Sequence, residues 1–446
     1  MYYKGEYHLF YQSVLDSRRI GPEHWGHAVS ADLVHWVELP VALYPDSFGP
    51  IWSGSAVVDE HNTSGLVPGG GLVAIFSYQE QSQGLAYSND QGRTWTKYKA
   101  NPIIPIGGKD FRDPKVFWHS ETNRWVLVLA AGRAIKIFAS SNLINWTQVS
   151  EFKDPHVPGY VFECPDLFPM QLDGQTKWVL TLSILGAGPS DAHGSIYLIG
   201  QFDGTNFTSE TYEPYWLDYG PDNYAAVTFN DAPNNSRILL GWLGNWTYGT
   251  SLPTSPWRGV MTIAHSLELK SLPVGIRLIQ NPVPEVEQIR SPGQSWHNER
   301  LSVGGNNLLS DVTGKAIDIV AEFELGTATS FGFRVRKSAD GGEFTTIGYD
   351  RRNSQIFVDR RQSGDTRFHE SFPVMHQAAM PPFENRIKLR ILIDWSSVEV
   401  FGNDGAVVLS YQIFPGAASD GLELYTNDGD VQLVSMNVYP MRSIWS

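Results

Sequence analysis

Four times in the first half of the chain, a short polar turn leads into an aromatic residue. Ser30-Ala31-Asp32-Leu33-Val34-His35-Trp36 returns as Ser88-Asn89-Asp90-Gln91-Gly92-Arg93-Thr94-Trp95 and as Ser140-Ser141-Asn142-Leu143-Ile144-Asn145-Trp146. A looser copy is Gln201-Phe202-Asp203-Gly204-Thr205-Asn206-Phe207. An Asp or Asn side chain can accept hydrogen bonds from backbone amides just ahead of it, so each copy reads as a β-hairpin closed by an Asx-type turn, with its aromatic packed between sheets. Between the copies lie short runs of Val, Ile, Tyr, Phe and Trp, broken by Gly, Asn, Asp and Pro, and convincing long helices are absent. Small sheets repeated at this interval predict an all-β chain that opens with a β-propeller.

The repeat also sets a register. Counting forward from each aromatic, Trp36 to Ser53 is 17 residues, Trp95 to Asp113 is 18, Trp146 to Glu163 is 17 and Phe207 to Tyr224 is 17. The four polar residues reached this way are expected at equivalent positions on the innermost strands, which makes Asp113 and Glu163 neighbours near the propeller axis. Both lie among apolar residues, in Phe111-Arg112-Asp113-Pro114-Lys115-Val116-Phe117 and Phe162-Glu163-Cys164-Pro165-Asp166-Leu167. A carboxylate in such surroundings must be paired, hydrogen-bonded or protonated, because desolvating it alone is too costly. Run backwards from Ser53, the same register falls ahead of Met1, so a first-blade inner residue is expected to be missing and the first blade incomplete.

Size and charge narrow the function. A chain of 446 residues exceeds the limit of one hydrophobic core, so two domains are expected. The predicted boundaries are 1–290 for the propeller and 291–446 for a C-terminal β-sandwich, whose strands include Phe331–Arg336 and Leu389–Trp395. Between about Leu267 and Pro292, four prolines point to an irregular connector. A net charge of -14, with no run of Lys or Arg, argues against nucleic acid or an anionic membrane as partner. No apolar stretch approaches the ~20 residues that span a bilayer.

The one cysteine, Cys164, excludes an intrachain disulfide and a Cys-based zinc site. His24 and His27 are spaced like metal ligands, but without a third ligand they read as core histidines, and no metal or cofactor is expected. Acceptor motifs at Asn62, Asn145, Asn206, Asn234 and Asn245 are compatible with secretion. Two inner carboxylates beside an arginine in an aromatic-rich channel fit glycoside hydrolysis, with Glu163 in apolar company as the acid and Arg112 holding Asp113 ionised.

These motifs, together with His24-Trp25-Gly26-His27, Trp52-Ser53-Gly54-Ser55, Gly241-Trp242-Leu243-Gly244-Asn245-Trp246 and Ser397-Val398-Glu399-Val400-Phe401, resemble glycoside hydrolase family 32 over essentially the whole chain. The family comprises levanases, inulinases and invertases, and the likeness is greatest to levanase-type members. The resemblance implies a five-bladed propeller joined to a β-sandwich, secretion, and release of fructose from levan, inulin or sucrose with retention. It also implies that Glu163 is the general acid/base, that Asp113 holds the fructose hydroxyls, and that Arg112, Gln12, Ser53, Asp222, Tyr224 and Trp246 line the fructosyl subsite.

Family members carry their nucleophile in a Trp-Met-Asn-Asp-Pro-Asn-Gly segment, which the alignment again places ahead of Met1; Glu6 and Asp16 are the nearest acids. Ser13-Val14-Leu15, Ile20 and Asn223 depart from the family pattern. The alternatives to a hydrolase are a fructan-binding paralogue without a nucleophile and a fructosyltransferase.

Overall fold

A computed structural model describes residues 1–15, 21–189 and 192–445. Asp16 and Ile20 lie outside the described residues. The first sheet holds β1 (Tyr2–Tyr3), β2 (Glu6–Ser13), β3 (His24–Ser30) and β4 (Trp36–Leu43); the second holds β5 (Ile51–Asp59), β6 (Gly71–Tyr78), β7 (Gln83–Ser88) and β8 (Thr96–Lys97). The third holds β9 (Phe111–His119), β10 (Arg124–Ala131), β11 (Ile135–Ser140) and β12 (Thr147–Phe152). The fourth holds β13 (Val161–Leu172), β14 (Gln175–Leu185), β15 (His193–Phe202) and β16 (Phe207–Ser209), with β17 (Tyr215–Trp216) beside β15. In each the strands pair in chain order, as in propeller blades. The first blade has four strands, but its first strand is only two residues long.

A fifth sheet holds β18 (Tyr224–Thr228), β19 (Ile238–Leu243), β20 (Val260–Met261), β21 (His265–Leu272) and β22 (Gly275–Pro282). The last two strands occupy most of the stretch expected to be an irregular connector. In β21 Leu267 and Leu269 are buried while Glu268 and Lys270 are exposed, a period of two that fits a strand. Pro273 falls in the turn and Pro282 at the strand's end, where a missing amide costs little. Proline here bounds strands rather than abolishing them.

The repeated turns join the third and fourth strands of their blades. Asp32 Oδ1 accepts from the amides of Val34 and His35, at 3.0 and 2.8 Å, and Asn142 and Asp203 do the same for the residues that follow them. The left-handed turn is taken at Leu33, Gln91 and Leu143, with φ of 64°, 61° and 62°. Trp36, Trp95 and Trp146 each donate their indole N–H back to a turn carbonyl, at 3.1, 3.1 and 2.8 Å. Inter-blade cores follow from alternation along the strands. On β10, Val126 and Val128 pack with Phe162 and Leu180 towards the fourth blade, while Leu127 and Leu129 pack with Val73, Ile75 and Phe111 towards the second. Each such buried side chain contributes about 1.5–3 kcal/mol.

Clustering of the backbone divides the chain into two compact units. The first comprises Met1–Leu217, Ala225–Gly241 and Ser266–Leu269; the second comprises Asp218–Tyr224, Trp242–His265 and Lys270–Ser446. The second unit contains two further antiparallel sheets. One is ordered β23 (Gln294–Leu301), β33 (Val431–Pro440), β24 (Ile317–Glu324), β29 (Arg386–Ile393), β30 (Ser397–Gly402), β31 (Val407–Gln412). The other is ordered β28 (Met375–Ala379), β27 (Gln355–Asp359), β26 (Thr345–Asp350), β25 (Ser330–Lys337), β32 (Gly421–Asn427). Alternate residues such as Ile317, Ile319, Ala321 and Phe323 of the first meet Phe331, Phe333, Val335 and Ile347 of the second in one apolar core, which makes a β-sandwich. Among the described residues no helix is long and apolar enough to cross a membrane.

His27 is buried in the first unit, its ring stacked on Phe10 at 4.4 Å and its Nε2 3.1 Å from Nδ1 of buried His8. Glu6 and Arg93 flank the pair. Burial pushes His8 down to about 4 and His27 to about 3, from an ordinary 6.5. Folded-state values below the unfolded one mean that the pair's contribution to stability is complete above pH 6.5 and is lost as pH falls from there towards 4. Between about pH 6.5 and 5 the melting temperature of the unmodified chain is therefore expected to fall relative to that of His27→Gln, which lacks the histidine contribution. A difference between the two melting temperatures that stays constant with pH across this window would contradict the assignment.

Candidate active site

The site in the first unit is built at the beginning of the inner strands, where each backbone departs from regular pairing. Arg112 pairs with Ala130, and regular pairing resumes at Lys115 with Val128. Glu163 pairs with Ser183 and resumes at Asp166 with Thr181; Ile51 pairs with Tyr78 and resumes at Gly54 with Phe76. In all three, two inner-strand residues oppose one on the second strand, which is a β-bulge at one place in three blades. Bulges re-aim side chains, and here they lie at the carboxylates.

This alignment corrects the register read from the sequence. Arg112, Glu163 and Ile51 are equivalent, and Asp113 matches Cys164; Ser53 falls level with Pro114 and Pro165. The backbone agrees, since Asp113, Cys164 and Ala225 all have positive φ, at 66°, 46° and 53°, which places Tyr224 level with Glu163. The 18-residue step to Asp113, among steps of 17, is the trace of that offset.

Each left-handed residue turns its amide out of its own blade, and the preceding blade supplies an acceptor. The Asp113 amide donates to Ser77 Oγ at 2.9 Å and the Ala225 amide to Ser183 Oγ at 2.9 Å. Between them, the Cys164 amide donates to Asp113 Oδ2 at 2.9 Å. Asp113 is thus fixed at both ends, its amide to the blade before and its carboxylate to the blade after.

Three contacts then join the third and fourth blades at one constant offset of 51 residues. Arg112 donates to Glu163 Oε1 from Nε at 3.1 Å and Nη2 at 2.9 Å. Asp113 takes the Cys164 amide, and deeper still Lys115 Nζ donates to Asp166 Oδ2 at 2.9 Å. Asp166 also accepts from the amide and hydroxyl of Thr228, at 2.6 and 2.7 Å, which ties in the following strand. Arg112 was expected to pair with Asp113; its guanidinium instead spans Glu163 and Asp110, the latter at 3.0 Å. Alternation along the strand is the reason, because neighbouring side chains leave it in different directions.

Electrostatics separate the groups. Burial, followed by the negative charge of Glu163, pushes Asp113 up to about 6, against the opposing pull of Arg112 and the Cys164 amide. Burial lowers Lys115 and raises the Cys164 thiol, so Cys164 is no candidate nucleophile.

Gln12 and Ser53 are brought together. With the Gln12 amide oriented to suit its neighbours, its nitrogen donates to Ile51 O at 3.0 Å and its oxygen accepts from the Ser53 amide at 3.2 Å. Gly54 follows because a Cβ there would sit 2.2 Å from Ile75 O. Glu6 is engaged by Arg93 at 2.7 Å.

The other expected residues belong to the second unit. Asp222 was expected to line a sugar subsite, but its carboxylate is fully buried and engaged by Arg360, the Tyr248 hydroxyl and, at 2.8 Å, the Gln412 amide. Tyr224 is buried, and Trp246 is 48% exposed with its ring 5.0 Å from Trp242. Asn245 is buried and its amide nitrogen donates to Pro221 O at 2.9 Å, so this acceptor motif is closed to a glycan in the folded protein. Asn223, also buried, donates to Asp218 at 3.1 Å.

Sequence reasoning missed Ser77, Asp110 and the Cys164 amide. A serine three strands before the bulge carries no local signature, and only Asp110, two residues before Arg112, was within reach of inspection. Among the described residues no three His, Cys, Asp or Glu side chains converge as metal ligands.

Comparison with known proteins gives one family. The Glycosyl hydrolases family 32 N-terminal domain matches residues 1–282, and the Glycosyl hydrolases family 32 C terminal matches residues 285–440. A levanase of Bacillus subtilis (strain 168) is 48% identical over 462 residues, covering 100% of this chain and 68% of that protein. An extracellular exo-inulinase of Aspergillus awamori is 38% identical, covering 100% of this chain and 92% of that protein. A crystal structure of exo-inulinase from Aspergillus awamori superposes with a TM-score of 0.94 at 37% identity, covering 100% of this chain and 95% of that one.

The buried contact beneath the site offers a test of how the blades are held. Lys115→Met strands the Asp166 carboxylate, which should cost about 3–5 kcal/mol. A urea midpoint unchanged by the substitution would show that the pair does not brace the blades.

Proposed function

The chain belongs to glycosyl hydrolases family 32, and from that premise we propose that it releases fructose from β-fructans such as levan and inulin, or from sucrose, by a retaining mechanism. The observation that carries the assignment of roles is the geometry around Glu163, whose carboxylate takes a two-point grip from Arg112 one residue away from buried Asp113. In this reading Glu163 gives its proton to the glycosidic oxygen as the bond to the anomeric carbon breaks, then takes a proton from the attacking water. Arg112 fixes the orientation of that carboxyl. Asp113 accepts hydrogen bonds from the fructosyl hydroxyls, and its second partner, the Cys164 amide, holds it still while charge develops on the ring.

Gln12 and Ser53 are proposed to complete the wall of the fructosyl subsite; for Tyr224, Trp246 and Asp222 the sugar-binding role that the family resemblance implies is retained as a proposal. Domain limits of 1–290 and 291–446 are proposed on the same footing. Secretion is supported by the extracellular relative.

The retaining route needs a carboxylate nucleophile besides the acid. Fructose release from levan, inulin and sucrose is therefore to be measured on this chain and on the same chain carrying a family-type Asn-Asp-Pro strand ahead of Tyr2. In whichever form is active, Glu163→Gln should lower kcat by about 10²–10⁴-fold, the range of a general acid, and Asp113→Asn by about 10²–10³-fold. Because Asp113 loses its charge below about 6, kcat/KM should fall as pH drops through that value, and Asp113→Asn should abolish this limb. Full activity in Glu163→Gln would refute the assignment; retention on levan with no fructose release from either form would favour a binding protein.

A further inference from the structure

The rim of this site carries an aromatic residue that none of the roles above uses. Tyr160 immediately precedes β13, three residues before Glu163, and the residue is 63% exposed. It sits at the end of the strand where the bulge and the carboxylates lie. Hydrogen bonds tie this rim together: the Gly132 amide donates to Asp110 O at 3.3 Å, and the Phe162 amide to Gly132 O at 2.8 Å. Asp110 in turn receives Arg112, which holds Glu163.

The ring of Tyr160 is seated rather than loose. Its amide donates to Leu185 O at 2.9 Å, and the ring lies against Gly186, where a Cβ would come within 2.1 Å of Cδ1. Gly186 has φ of 83°, so the position favours glycine on two counts. One side of the ring thus lies against the backbone at Gly186, while the residue as a whole is largely exposed. Three residues of extended strand span roughly 10 Å, about the distance from a scissile oxygen to the second sugar unit beyond it.

We propose that Tyr160 is a stacking platform for the second sugar unit on the leaving-group side of the scissile bond, and so a determinant of preference for fructan chains over sucrose. The proposal rests on the fructan-hydrolase reading for its substrate class. Sugar C–H groups carry slight positive charge and meet the negative face of an aromatic ring, which requires no partner for the phenol hydroxyl. Sucrose has one unit beyond the scissile bond and does not reach Tyr160.

The test is affinity electrophoresis of the full chain in native gels containing levan or inulin, with fructose release from sucrose and levan measured in parallel. Tyr160→Ala is expected to weaken levan retention about five- to tenfold, or roughly 1–1.4 kcal/mol at 1.4 kcal/mol per tenfold, while Tyr160→Phe and Tyr160→Trp retain it. Where fructose is released, Tyr160→Ala should raise KM for levan and leave kcat/KM for sucrose unchanged. Unaltered retention in Tyr160→Ala, equal loss in Tyr160→Phe, or no retention of the unmodified chain would each overturn the proposal. Retention that depends on the ring, without fructose release from any form, would sustain the platform and defeat the hydrolase reading.

Discussion

A carboxylate held inside a protein needs partners on every side, and the pairing of the third and fourth blades meets that need three times at one sequence offset. Arg112 meets Glu163, Asp113 meets the Cys164 amide, and Lys115 meets Asp166, each 51 residues apart. The three contacts descend from the rim inward, so any slip of one blade against the other would break all of them together. Separating Lys115 from Asp166 would leave two buried charges uncompensated. The geometry of the chemical groups is therefore inseparable from the closure of the blades.

The bulges explain how such a ladder arises. Regular strands would point Asp113 and Glu163 by simple alternation and would leave every amide in its own sheet. In β9 and β13 one extra residue is taken up by a left-handed residue, Asp113 or Cys164, and Ala225 shares that backbone conformation; each turns an amide towards the blade before. Serine answers it at Ser77 and Ser183. At the middle position the answer is Asp113 itself, so one side chain serves both as the neighbouring blade's hydrogen-bond acceptor and as a member of the candidate site. Its raised pKa is a consequence of that double use, since the burial that makes it a good brace disfavours its charge.

Much of this was legible. The Asx turns are local, requiring only an acceptor side chain and nearby amides, and so Asp32, Asn142 and Asp203 could be read directly. Inter-blade cores follow from a period of two. The errors came where meaning depends on something distant. Pro273 and Pro282 read as breakers because a sequence does not reveal which end of a strand a proline occupies. The burial of Asp222 against Arg360 was equally out of sight, because that partner is 138 residues away. Register was misjudged by one at Asp113 and by two at Ser53, because spacing along the chain does not reveal how strands pair.

By itself, the sequence determined the all-β class, the blade repeat, the sandwich beyond it and the two motifs that bear the carboxylates, since each rests on short-range pattern. Tertiary structure alone decided which of Arg112's neighbours it grips, why burial raises the pKa of Asp113, and which of the marked residues is a brace. Those properties belong to pairs of residues on different blades or strands. Hydrogen bonding and desolvation act through distance in space, which a linear chain does not carry.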